Sequence, residues 1–164
     1  MKALTKLCAP LILACLTLCP PALALEPDHV TPHLRLYSVE GDFQLYRDAL
    51  EIAITGRGIV INNVAHIADM LQRTRDAVEG EPVYRHAQAL EFCSAVHSRR
   101  MMEADPRNIV YCPYVIVLYE TVEEPGVIHM GYRRPAGGGD DASRERLERV
   151  ESLLDGIVRE ALAF

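Results

Sequence analysis

A β-branched run, Val115-Ile116-Val117-Leu118-Tyr119, is followed by a turn, a second extended stretch and then an apolar stripe of helical period. That succession restricts the fold. The run is the strongest strand signal in the chain, Glu124-Pro125-Gly126 turns it, and Val127 to Arg133 returns as the next strand of an antiparallel hairpin. Pro135 to Gly139 is a hinge, and Asp140, Asp141 and Ser143 offer caps for a final helix. In that helix Leu147, Val150, Leu154, Ile157, Ala161 and Leu162 recur at the spacing of one face. Such a stripe needs something to cover, and a sheet just before it in the chain is the available partner. The stripe therefore reads as core-covering rather than as a partner-binding or membrane-surface face. Glu145–Arg149 and Asp155–Arg159 have the favourable i,i+4 order expected of the helix's outer face.

The upstream chain supplies the rest of an α+β domain over residues 34–164. Leu34, Leu36 and Ser38 alternate with Arg35, Tyr37 and Val39 as a strand, and Gly41-Asp42 turns and caps. Phe43, Tyr46, Leu50 and Ala53 share a helical face that Gly56-Arg57-Gly58 ends. Ile59 to Val64 predicts a second strand, and Val64, Ile67, Leu71 and Thr74 a short helix after it. Ala87 to Ala95 reads as a third strand, and Ser98 to Ala104 as a helical turn closed by Asp105-Pro106. Residues 25–33, with Pro27 and Pro32, read as an irregular arm.

The first 24 residues are read apart from this domain. Lys2 and Lys6 precede an apolar stretch from Leu7 to Leu18, Pro20-Pro21 end it, and Ala22-Leu23-Ala24 has the small-x-small pattern of a cleavage site. The expectation is a secretory signal cut after Ala24 and a periplasmic or secreted mature chain. The stretch is short and proline-broken against the ~20 apolar residues of a membrane span, so no stable span is expected after processing. Ile12-Leu13-Ala14-Cys15 is a poor lipoprotein box, which makes a lipid tether or an uncleaved anchor the lesser alternatives. Removing the leader takes Lys2 and Lys6 from 17 basic residues and leaves only arginines against 23 acids, a net charge of −8. An acidic chain argues against nucleic acid as a partner. A mature chain without lysine forms no Schiff base.

Three of the five cysteines fall in the leader, which leaves Cys93 and Cys112. Cys93 ends one predicted strand and Cys112 precedes another. If those strands are neighbours, both sulfurs reach the same end of the sheet, within the ~7 Å between Cα atoms that a disulfide needs. His97 and Met101, four residues apart, share a face if the intervening helix begins by His97. With Cys93 and Cys112 they would make a soft ligand set suited to Cu(I) or zinc. Four readings stay open: a structural disulfide, a reversible redox pair, a metal or haem site, and thiols without a role. A redox role needs a depressed thiolate pKa, which Arg99 or His97 is placed to supply. The sequence identifies no cofactor.

Other candidates are weaker. Ser94 and Ser98 lack a Gly-x-Ser-x-Gly elbow and read as helix caps. His29 and His33 sit beside Asp28, but Pro32 argues against a helical metal pair. His66, His86 and His129 are isolated and read as surface or hydrogen-bonded histidines. Arg133-Arg134 can hold an anion, although two solvated edge charges are the plainer account. Gly137-Gly138-Gly139 precedes two aspartates that would repel phosphate.

The blocks Phe92-Cys93-Ser94-Ala95, Ser98-x-x-Met101-Met102-x-Ala104-Asp105-Pro106-x-Asn108-Ile109, Cys112-Pro113-Tyr114, Tyr119 and Gly131-Tyr132-Arg133 occur in this order. Together they resemble the bacterial family called domain of unknown function 302, over roughly residues 43–135. The resemblance implies a β-α-β-β-β-β-α layout similar to the TBP-like fold, with an antiparallel sheet curled around a long C-terminal helix. It also implies a homodimer, and it brings no activity. The expected function is that of an exported non-enzymatic binding or interaction domain. A thiol-based redox or sulfur carrier using Cys93 and Cys112 is the first alternative. A soft-metal binding protein using Cys93, His97, Met101 and Cys112 is the second.

Overall fold

The computed structural model describes residues 25–136 and 139–163. The leader, its cleavage point after Ala24 and part of the glycine hinge lie outside these. Among the described residues, six strands form one antiparallel sheet. They are β1 (His29–Val30), β2 (Leu34–Glu40), β3 (Ile61–His66), β4 (Tyr84–Phe92), β5 (Tyr114–Thr121) and β6 (Val127–Arg133). Their order across the sheet is β1-β2-β6-β5-β4-β3. Four α-helices accompany them: α1 (Phe43–Thr55), α2 (Ile67–Thr74), α3 (Ala95–Ala104) and α4 (Asp141–Leu162). A 3₁₀ turn, Pro106–Tyr111, joins α3 to β5.

The fold is α+β, with the long C-terminal helix packed on the sheet and against α1 and α3. Along β5 the side chains alternate: Tyr114, Ile116 and Leu118 are buried toward the helices, while Val115, Val117 and Tyr119 are half-buried on the other face. On α4 every residue of the apolar stripe is buried, and Val158 and Ser143 join it. Asp140 caps α4 by accepting from the Ser143 amide at 2.9 Å, and Asp42 caps α1 by accepting from the Leu45 amide at 2.9 Å.

Three details depart from the sequence reading. The arm is not wholly irregular, because His29 and Val30 pair with Leu36 and Arg35. β3 starts at Ile61 rather than Ile59 and runs on to His66, so α2 starts only at Ile67. α2 buries no residue, and its Met70 and Leu71 are exposed. Its apolar spacing gives a helix without a core face. The layout implied by the family resemblance is thus present with β1, α2 and α3 added to it.

Two backbone features set the sheet. Gly126 has φ +82° in the β5–β6 turn, a left-handed conformation that glycine adopts freely. Its amide donates to Glu120 Oε1 at 2.9 Å. At Gly131, opposite Leu36, β2 approaches so closely that a Cβ would collide with the Arg35 carbonyl oxygen and lie 3.0 Å from Leu36 Cα. At the far border, β3 pairs with β4 on one side only, and its register shifts between Ile61 and Asn63.

Candidate functional site

Pairing of Phe92 with Tyr114 fixes the geometry where β4 ends and β5 begins. Cys93 leaves β4 directly after that pair, and Cys112 enters β5 through a cis peptide bond to Pro113. Their Sγ atoms lie 2.7 Å apart, and both residues are partly exposed. Ser98 Oγ is 3.6 Å from Cys112 Sγ and 3.0 Å from the Tyr114 hydroxyl. Tyr114 in turn reaches Met101 Sδ at 3.8 Å.

The segment between the cysteines is tied down from both ends. Ser94 caps α3, accepting from the His97 amide at 3.5 Å, which brings the helix start forward to Ala95. Ser98 is not a cap; its hydroxyl faces Cys112 and Tyr114. Asp105 accepts from the Arg107 amide at 2.9 Å and so starts the 3₁₀ turn. Asn108, 3 % exposed, donates to the Met101 carbonyl and to Ser143 Oγ, both at 2.8 Å. One side chain thereby joins the turn to α3 and to the start of α4.

The four residues of the expected ligand set separate into two groups. Cys93 and Cys112 are together. Met101 is fully buried in the core, with its sulfur against Tyr114. His97 is half-buried, and its pKa is lowered by burial and by the nearby charges of Arg100 and Arg149. Among the described residues, no group of three or more His, Cys, Asp or Glu side chains is arranged to hold a metal ion. Burial pushes the Cys93 thiol up to about 11, the neighbouring Cys112 sulfur adds to this, and a backbone bond with Tyr114 opposes it. Burial likewise raises Tyr114 to about 12. No depressed thiolate results at Cys93, so the activation expected from Arg99 or His97 does not operate there.

Directly beside Cys112, a cavity of about 290 Å³ opens between the 3₁₀ turn, the ends of β5 and β6, and α4. Tyr111, Pro113 and Tyr114 form one wall, Val150 and Leu154 the floor, and His33, Arg133 and Arg134 contribute the polar part. Arg134 is not a solvated edge charge. It donates to Glu151 from Nε at 2.7 Å and from Nη2 at 3.2 Å, and to the Thr31 carbonyl at 2.9 Å. Arg133 is exposed and has no ion-pair partner among the described residues.

Beneath the cavity lies a polar network that sequence reasoning missed. Asp155 Oδ1 accepts from the Tyr37 hydroxyl at 2.5 Å, the Tyr132 hydroxyl at 3.0 Å and Arg35 Nη1 at 3.0 Å, while Oδ2 accepts from Arg159 Nε at 2.7 Å. The Asp155–Arg159 pair therefore faces the sheet, which corrects its assignment to the outer face of α4. Glu145–Arg149 is the exposed pair. Burial raises the Asp155 pKa, but the bonds from Tyr37, Arg159, Arg35 and Tyr132 outweigh it and leave the carboxyl at about 2. Arg35 also reaches Glu151 at 3.3 Å, so both carboxylates are held by it. The only sequence sign of this network is an arginine alternating with Tyr37 on a strand that has one buried face.

The histidines fall where hydrogen bonds or rings take them. His129 Nδ1 is 2.8 Å from Ser38 Oγ and its ring stacks on Tyr119; His86 stacks on Phe43; His66 lies 3.8 Å from Asp69.

Comparison with known proteins follows the fold. No curated protein matches the chain. The crystal structure of an uncharacterized conserved protein DUF302 from Bacillus stearothermophilus superposes with a TM-score of 0.64. The two share 17 % identity, over 77 % of this chain and 97 % of that one. At that identity the likeness concerns the fold. The family described as Domain of unknown function DUF302 matches residues 37–161, which takes in β2 through α4 and with them both cysteines and most of the cavity wall. The chain therefore belongs to the DUF302 family.

Proposed function

We propose that this DUF302 protein is exported, loses its leader after Ala24, and acts as a non-enzymatic binding domain whose ligand sits at the sheet end beside Cys112. The carrying observation is the cavity of about 290 Å³ there, walled by side chains from four separate segments. Its size approaches that of small-molecule sites, which begin at ~300 Å³. Cys93 and Cys112 act as a brace for its wall. In an oxidising compartment the two thiols give up two protons and two electrons to the disulfide of an exchange partner, which becomes a dithiol as the Sγ–Sγ bond forms. The loop that this closes corresponds to about 3 kcal/mol of stabilisation. The raised pKa of Cys93 supports a brace rather than a nucleophile.

A thiol carrier is the second reading, favoured by the 2.7 Å sulfur contact and the partial exposure of both cysteines. Native mass spectrometry of protein taken from its own cells without reductant tests the set. The expected species starts at Leu25, is ~2 Da lighter than its reduced form and carries a small-molecule adduct released on unfolding. A leader-bearing chain with two alkylatable thiols and no adduct would overturn the proposal. Equilibration with glutathione separates the two roles: a brace stays oxidised at potentials below about −300 mV, whereas a carrier exchanges.

A further inference from the structure

The polar part of the cavity contains Arg133, Arg134 and His33 and no carboxylate, although the chain as a whole has a net charge of −6. Local positive charge inside an acidic protein is a selected feature of that surface rather than its average. The two arginines differ in state. Arg134 is spent on Glu151, and Glu151 is in turn shared with Arg35. The charge of Glu151 is therefore more than matched by two guanidiniums, and it does not offset Arg133. Arg133 stands at the cavity mouth without an ion-pair partner among the described residues. Its planar fork fits two oxygens of one acidic group. The remaining lining is apolar or aromatic, with Val110, Tyr111, Pro113, Val150 and Leu154 facing the space.

We infer that the cavity takes a small organic monoanion. Its carboxylate- or sulfonate-type head pairs with Arg133, and its apolar or aromatic body lies against Tyr111, Pro113 and Leu154. One uncommitted guanidinium matches one negative charge, which disfavours dianionic phosphate esters. The apolar lining disfavours free inorganic anions, whose full hydration the site does not replace. This inference rests on the binding reading above and specifies its ligand class.

The test uses the mature protein and two dyes that differ by one charged group, 8-anilinonaphthalene-1-sulfonate and neutral N-phenyl-1-naphthylamine. Both are followed by fluorescence titration. The sulfonate is expected to bind at least about tenfold more tightly, the value of one charge-assisted hydrogen-bonded contact. Arg133→Gln is expected to erase that difference and leave the neutral dye's affinity unchanged. Ala136→Trp, which fills the space from an exposed loop position, is expected to abolish binding of both. Equal affinities in the unaltered protein, with both lost in Ala136→Trp, would overturn the anion class and leave a binding cavity standing. Binding of neither dye, or binding of both that survives Ala136→Trp, would overturn the cavity as a site and the function built on it.

Discussion

Replacing Asp155 by Asn keeps the side chain's shape and removes its charge from a site built around it. The carboxylate is 17 % exposed and receives four donors from β2, β6 and its own helix. In Asp155→Asn the amide nitrogen would face Arg159 Nε, donor against donor, where a carboxylate oxygen now accepts. The folded carboxyl titrates at about 2, against an ordinary 3.8 in the unfolded chain. At ~1.36 kcal/mol per pH unit this corresponds to about 2.5 kcal/mol of stability. Because the folded value is depressed, the contribution is fully present above pH ~4 and is lost as pH falls through ~2. Urea unfolding of the unaltered protein and Asp155→Asn, followed by circular dichroism from pH 7 down to pH 3, reads it. The variant is expected to be about 2.5 kcal/mol less stable at pH 7, with a Tm lower by roughly 8 °C, and the gap should narrow to about half at pH 3. A deficit of the same size at both pH values would refute the electrostatic account. So would a deficit below about 0.5 kcal/mol at neutral pH, which is the range of ordinary surface changes.

Two more predictions concern packing. Gly131→Ala is expected to cost more than about 2 kcal/mol, because the obstructing atoms are β2 backbone and have no rotamer to give way. An unchanged urea midpoint would show that β2 and β6 are not so close. Asn108→Ala removes both donors that join the 3₁₀ turn to α3 and α4. It is expected to cost about 2 kcal/mol and to speed amide exchange over residues 106–111, while a uniform change along the chain would count against a local tie.

How far the sequence could be read depended on how local each feature is. The stripe of α4 and the β5–β6 hairpin are set by neighbours within a few residues, and their period is visible directly. α2 shows the limit of that reasoning: Leu71 and Thr74 recur at helical spacing, yet no element packs over them, and burial is not a property of spacing. The cysteines were legible as residues flanking two strands, since strand pairing alone brings them near each other. The Asp155 network was not. Tyr37 lies 118 residues away from Asp155 and Tyr132 lies 23 away, so the i,i+4 relation to Arg159 was the only local signal, and it pointed to solvent. The cavity was hidden for the same reason, being assembled from His33, the stretch from Val110 to Val115, the end of β6 and α4. Arg133 and Arg134 look alike in the chain, and only Glu151 from a distant helix distinguishes them.

The irregular step in β3 bears on how the molecule behaves in a crowded solution. A straight outermost strand offers a row of unused amides and carbonyls to any extended peptide, which is how sheets grow from one molecule into the next. Here the row is broken near its start, and the exposed Asn62 and Asn63 follow immediately. A newcomer could follow the border for only a few residues before its spacing fell out of step. The kink thus acts as a terminator for lateral growth, and straightening it by deleting one of the two asparagines would turn a quiet margin into an adhesive one.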